Sequence, residues 1–116
     1  MKSYRDLFIW QKSMVLVTEI YSITGIFPVS EIYGLTNQLR RSAVSIPSNI
    51  AEGYVRNSTN DYKRFLQIAV GSLYELQTQV EIACNLKYIE VEKIREVSNL
   101  SIEIDKMLYS IIQKIK

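Results

Sequence analysis

Two adjacent stretches hold the residues whose types and spacing could do chemistry. The first is QLRRSAVSIPSNIAEG, residues 38–53. At about 100° per residue on a helix, Arg41, Ser45, Ser48 and Glu52 fall on one narrow strip. Ser42, Ala43, Ser45, Ser48, Ala51 and Gly53 are all small, so another backbone could come close. The second stretch carries Tyr54, Arg56, Tyr62, Lys63 and Arg64. With Arg40 and Arg41 it supplies cations that could meet phosphates and tyrosines that could stack on bases. The plainer reading is a solvated turn whose long side chains lie along the surface.

Other chemistry lacks its residues. The chain contains no histidine, which removes the commonest general base and the Ser–His and Cys–His nucleophile pairs. It also removes the Glu-x-x-His pairs of di-iron bundles. Cys84 is the only cysteine, so no thiolate metal site can form. Its spacing with Val80 and Ala83 marks it as a small buried hydrophobe. The glycines are isolated, so no phosphate loop is present. A carboxylate-only enzyme built on Glu52 and Glu75 has no positive support. The residues therefore predict no catalytic site, no cofactor and no metal site.

A single cysteine allows no intramolecular disulfide, which points to a reducing, cytoplasmic setting. Arg5 and Asp6 precede the first apolar stretch without a small-residue cleavage pattern, so no signal peptide is expected. No uncharged apolar run approaches the roughly 20 residues of a membrane span. The net charge of +2 is too small to imply nucleic acid by itself. Its distribution is more suggestive. Arg40, Arg41, Arg56, Lys63 and Arg64 stand against only Glu52 and Asp61, whereas the last fifty residues lean acidic.

These residues must be positioned by helices. Breaks near residues 25–30, 56–60 and 87–90 divide the 116 residues into four helical segments of a single domain, 1–116. Helix 1 is expected over residues 6–24, ended by Gly25, with Leu7, Trp10, Met14, Val17 and Tyr21 on its apolar face. Helix 2 opens with Ser30 as N-cap and Glu31 in its first turn, buries Leu35, Leu39, Ala43, Ile46 and Ile50, and nears its end at Gly53. Pro47 predicts a kink near 43–46 or a break into two helices. Helix 3 starts after Asn57, with Ser58 and Asp61 spaced like a capping box and with Phe65, Ile68 or Ala69, Leu73 or Ser72, Leu76, Val80, Ala83 and Leu86 in its stripe. Helix 4 runs from about residue 90 to the end, with Val91, Ile94, Val97, Ile104, Leu108, Ile111 and Ile115 in its stripe. Short connections make neighbours antiparallel and close an all-α, up-and-down four-helix bundle.

Each of two helices carries a surplus apolar row. Helix 1 adds Ile9, Leu16, Ile20 and Ile23, and helix 4 adds Leu100, Ile102, Tyr109 and Ile112. One core cannot face every direction, so the surplus argues for self-association over scattered surface apolar residues. Folding helices 2 and 3 back about residue 57 sets Ala43 opposite Gly71, Glu52 near Tyr62 or Lys63, and Arg40 or Arg41 near Glu75. One Arg–Glu75 pair is therefore expected, either as a structural salt bridge or with Arg41, Asn49 and Glu52 lining a polar pocket or subunit contact.

The combination also has a known likeness. Leu7-x-x-Trp10, Phe27-Pro28-x-x-Glu31-x-Tyr33-Gly34-Leu35, residues 38–53 and Gly71-Ser72-Leu73-x-Glu75-Leu76 resemble the 23S ribosomal RNA intervening-sequence protein family, often called four helix bundle protein. The resemblance covers nearly the whole chain, through Leu86 at least. It implies an antiparallel four-helix bundle and a ring-shaped homo-oligomer, a pentamer. It also implies that Arg41, Asn49, Glu52, Gly53, Gly71 and Glu75 serve structure or interface. Family members are encoded within insertions in bacterial large-subunit ribosomal RNA genes. The related accessory proteins of diversity-generating retroelements are basic barrels that bind nucleic acid and a reverse transcriptase. Two readings follow: a sequence-tolerant RNA- or DNA-binding module contacting through Arg40, Arg41, Arg56, Lys63 and Arg64, or a scaffold that docks another protein.

Overall fold

The computed structural model describes residues 3–115. Four helices account for most of them: α1 Phe8–Thr24, α2 Leu35–Tyr54, α3 Thr59–Asn85 and α4 Val91–Lys114. Single 3-10 turns, Tyr4–Asp6 and Val29–Glu31, precede α1 and α2. Each helix touches two others, α1 and α3 both packing on α2 and α4. The helices thus stand at the corners of a square in a body of 43 × 25 × 21 Å. Cross-helix hydrogen bonds fix the antiparallel sense. Ser42 pairs with Gln79 and Ser45 with Ser72, while Tyr74 pairs with Asp105 and Gln77 with Ser101. This is the all-α, up-and-down bundle the periodicity predicts.

The expected stripe of α2 enters the core together with Ala69, Leu73, Leu76, Val80 and Ala83 of the α3 stripe, whereas Leu86 is exposed and Leu66, outside that stripe, is buried. Leu39, Ala43, Ile46 and Ile50 are fully buried against Leu66, Ala69, Leu73 and Leu76. On α4, Val97, Ile104 and Leu108 of the main row are buried and Ile94, Ile111 and Ile115 pack at the core's edge, but Val91 is exposed; of the surplus row Ile102 and Tyr109 are exposed, whereas Leu100 and Ile112 pack on the core. On α1 the assignment is reversed. Ile9, Leu16, Ile20 and Ile23 enter the core, whereas Met14 and Tyr21 are exposed and Trp10 and Val17 only pack at its edge. Ser13 and Thr24, which interrupt this aliphatic row with hydroxyls, do not keep it out of the core. Both are buried, and both donate to the carbonyl four residues back, Ile9 and Ile20, at 2.7 Å. A hydroxyl satisfied by its own helix can enter a core at little cost.

The helix ends explain the remaining boundaries. Ser30 does not cap α2, which begins five residues later. The Glu31 carboxylate reaches forward instead and accepts from the Leu35 N–H at 3.0 Å. Its other oxygen accepts from the Tyr88 hydroxyl at 3.0 Å, and Tyr88 lies 5.3 Å from the Phe27 ring. One carboxylate therefore ties the start of α2 to the α3–α4 connection. α2 runs unbroken through Pro47. Around the missing donor, the Ser48 hydroxyl and the Asn49 amide donate to the carbonyls of Val44 and Ser45, at 2.7 and 2.8 Å. Ser58 caps α3 as expected, its hydroxyl accepting from the Asp61 N–H at 3.0 Å. α3 ends through Lys87, at φ 63°, with the Tyr88 N–H returning to the Ala83 carbonyl. That left-handed closure usually employs glycine.

The register of α2 on α3 differs from the expected one. Ser45 meets Ser72, and Ser42 meets Gln79, so the pivot lies at the Ser58 cap and partners shift by about one turn. Ala43 is buried, but Gly71 is exposed and faces no helix of its own chain. The close approach occurs at Gly53. A Cβ there would stand 2.6 Å from the Phe65 Cβ and 3.2 Å from the Tyr62 ring.

Gly53→Ala is therefore expected to lower stability by about 1–3 kcal/mol, despite alanine's better helix propensity, because the obstructing Cβ cannot swing away. Lys87→Gly should act oppositely, adding about 1 kcal/mol by relieving the left-handed backbone. Urea melts of both variants check the two signs.

Candidate functional site

The residues singled out by sequence divide among three places. Arg40 lies on the α1-facing side of α2. Its Nε donates to the Thr24 hydroxyl at 2.8 Å, and a terminal nitrogen reaches the Tyr21 carbonyl at 3.4 Å. The guanidinium also stands 4.5 Å from the Tyr21 ring centroid. A cation at the last turn of α1 meets the negative end of the helix dipole. The fold thus occupies Arg40, on the side away from α3.

Arg41 points outward into a groove between α2 and α3, of about 320 Å³, shared with Gln38, Ser42, Ser45, Glu75 and Gln79. Among the described residues, no ion pair joins Glu75 to Arg40 or Arg41, so the expected bridge is not made within the subunit. The groove's floor is satisfied by its own chain: Ser42 donates to Gln79 at 2.7 Å, and Ser45 and Ser72 share a hydrogen bond of 2.8 Å. Asn49 is not in the groove lining. Its amide holds Ser45, at 2.8 Å to the carbonyl and 3.0 Å to the hydroxyl. Glu52 also lies outside the groove, and it meets neither Tyr62 nor Lys63 as an ion or hydrogen-bond partner. It pairs with Arg56 at 2.8 Å, an i,i+4 contact whose spacing is written in the sequence.

The α2–α3 turn gathers the remaining cations. The guanidiniums of Arg56 and Arg64 stand 4.8 and 4.5 Å from the centroid of one ring, Phe65. Arg64 also pairs with Asp61 at 3.5 Å. Lys63 is half-buried between Tyr62 and Arg64. Tyr54 meets Tyr62 edge to face at 6.3 Å. Phe65 is the residue sequence reasoning missed here. It reads as one more core position of α3, yet its ring is the platform that holds two guanidiniums at one end of the bundle. Glu52 and Asp61 neutralise part of that charge, and both bridges are exposed to solvent and therefore weak.

Cys84 is free and half-buried, on the wall of an apolar cleft of about 270 Å³ between α3 and α4. That is less burial than its spacing suggests, because α4 leaves the cleft open beside Ile94 and Ile102. Among the described residues, no group of three or more acidic, Cys or His side chains could hold a metal ion. No helix among them is long and apolar enough to cross a membrane.

Three tyrosines are pushed above the ordinary phenol range. The hydrogen bond from Tyr74 to Asp105 and that from Tyr88 to Glu31 are the main causes at those two sites. At Tyr62 the main cause is burial, with Tyr54 adding to it.

A square of antiparallel helices, a polar seam between α2 and α3 and a basic turn beside it define an all-α four-helix bundle. The sequence profile of the 23S rRNA-intervening sequence proteins matches residues 5–110, and the chain belongs to that family. A crystal structure from Bacteroides thetaiotaomicron, of an S23 ribosomal protein family member with unknown function, has the same fold. It is 28% identical, with a TM-score of 0.85, over 91% of this chain and 99% of the other. No curated protein matches the chain.

The raised phenols set an alkaline limit. A neutral phenol is favoured in the folded state, so their contribution is complete below about pH 10 and is lost as pH rises through the higher folded values. Thermal melts from pH 7 to 11 should fall more steeply for the wild type than for Tyr74→Phe/Tyr88→Phe, which cannot ionise at those positions.

Proposed function

We propose that this chain is a non-enzymatic subunit of a homo-oligomer that contacts the phosphate backbone of RNA, without sequence preference, through its α2–α3 turn. The observation that carries the reading is the placement of Arg56 and Arg64 over Phe65, with Lys63 between them in sequence. Three cations at one end of an elongated body form a compact electrostatic footprint. Tyr54 and Tyr62 beside them offer faces on which an unpaired base can stack. Arg40 and Arg41, the other two candidate contacts, stand about 20 Å back along α2 from the turn, Arg41 in the groove with Glu75 and Arg40 holding α1, and so form no part of this footprint. The family's name is in keeping with a ribosomal RNA connection. Self-association is supported by apolar side chains left exposed on more than one face, among them Phe8, Val15, Ile68, Ile82 and Tyr109. It would multiply the turns presented to one nucleic acid; the pentameric ring implied by the resemblance is one such closed form.

A second reading, an oligomeric scaffold for another protein, is favoured by the two bridges that offset the turn's charge, Glu52 to Arg56 and Asp61 to Arg64. The two readings separate in one titration. A labelled structured RNA is mixed with the protein at low and high salt, with light scattering for mass. The expected result is micromolar binding by an assembled particle that weakens with salt. The triple variant Arg56→Ala/Lys63→Ala/Arg64→Ala should lose at least ten-fold in affinity and lower the salt slope by about 2–3 per subunit engaged. An intact oligomer that binds no RNA at low salt would sink the first reading in favour of the scaffold.

A further inference from the structure

Along the outer side of α1, Trp10, Met14, Val17 and Tyr21 recur at steps of four and three. This is the row that periodicity assigns to the core and that the fold leaves at the surface. Met14 and Tyr21 are 41% and 45% exposed, while Trp10 and Val17 are only partly buried. Opposite them α2 turns out Val44, Pro47, Ser48 and Ala51. An open groove of about 360 Å³ lies between these two sets of side chains. A second stretch, of about 520 Å³, continues past Val44 to Tyr21, Arg40 and Arg41. Trp10 and Tyr21 are eleven residues apart, so the groove runs for about 16 Å, three turns of a helix.

Its charge has one sign. The Arg5 guanidinium stands 5.7 Å from the Trp10 ring at one end. At the other end are Arg40 and, on the crest shared with the α2–α3 groove, Arg41. Neither of these two pairs with a carboxylate among the described residues. No acidic residue lines either stretch. The floor of Met14, Val17, Val44 and Pro47 offers a sugar-phosphate chain nothing to bond, which disfavours nucleic acid. Both walls are helices, so no strand edge is open to an extended peptide. A copy of this chain complements the cations poorly. Its α1 and α4 carry equal numbers of acidic and basic residues, α2 is net basic, and α3 is net acidic by a single charge. We infer that the α1–α2 groove receives an acidic amphipathic helix from another protein, three to four turns long. Its apolar stripe lies along Trp10, Met14, Val17 and Val44, and its carboxylates meet Arg5 at one end and Arg40 and Arg41 at the other. The groove uses none of Arg56, Lys63 and Arg64, so this docking is independent of the RNA contact proposed above.

Trp10 is the chain's one tryptophan, and its emission reports on the groove. The probe is a synthetic helical peptide of about 16 residues, with leucines at i, i+3, i+4 and i+7 spacing and glutamates in its first and last turns. Titrated into the full chain, it should shift Trp10 emission to the blue with micromolar affinity. The same leucines with lysines in place of the glutamates should bind at least about ten-fold more weakly. Met14→Glu and Val44→Glu, both at half-exposed positions, should each lower affinity about ten-fold while helicity by circular dichroism stays unchanged. Should both variants fail to fold, Arg41→Glu, at an exposed position, decides by the same loss. Absence of binding, equal affinity for the two peptides, or binding untouched by the substitutions overturns the inference. So does displacement of the peptide by single-stranded poly(U), which assigns the groove to nucleic acid. Trp10 emission that moves to the red when the protein alone is diluted overturns it as well, because a second copy then fills the groove.

Discussion

Where α2 turns into α3, the two backbones come so near that only hydrogen fits at Gly53, between the Phe65 Cβ and the Tyr62 ring. Much of the bundle's organisation descends from that approach. It sets the register in which Ser45 meets Ser72 and Ser42 meets Gln79, and no buried side-chain polar atom among the described residues lacks a partner. It also sets Phe65 under the turn, where the ring faces the guanidiniums of Arg56 in the connection and Arg64 on α3. A larger residue at position 53 would separate the helices and disperse the charge with them.

The polar residues of α2 have two different duties. Ser42 and Ser45 look inward along the α3 seam, bonding Gln79 and Ser72, and the Asn49 amide holds the Ser45 carbonyl just past Pro47. Arg41 and Glu52 look outward, one into an open groove and one onto Arg56. Arg40 faces α1 instead and closes its last turn. A motif that looks uniform as a string of letters is thus shared among three sides of one helix. At the opposite end of the bundle, Glu31 performs a comparable service alone, capping α2 and holding Tyr88.

The two interior glycines of the α2–α3 hairpin illustrate how little a residue type says without its surroundings. Gly53 is buried and crowded, while Gly71 is exposed and open. The first is accounted for within the subunit. Nothing among the described residues accounts for the second, since a side chain there would meet open space.

Helix number, connection lengths, the all-α class and most of the core rows of α2, α3 and α4 were legible in the sequence, because a 3.6-residue period and sparse Gly and Pro punctuation are local properties. So were the Ser58 cap and the shortage of catalytic residue types, which depend on composition and short spacing. The buried face of α1 was not, because two apolar rows compete on one helix and the buried one is interrupted by Ser13 and Thr24, whose hydroxyls are satisfied only once the helix exists. The α2–α3 register was not, because a pivot moved by a residue or two shifts every partner by about a turn. The roles of Arg40, Phe65 and Glu31 were hidden for the same reason. Each acts on residues far away in the chain or across the bundle, and only tertiary packing brings those partners within reach.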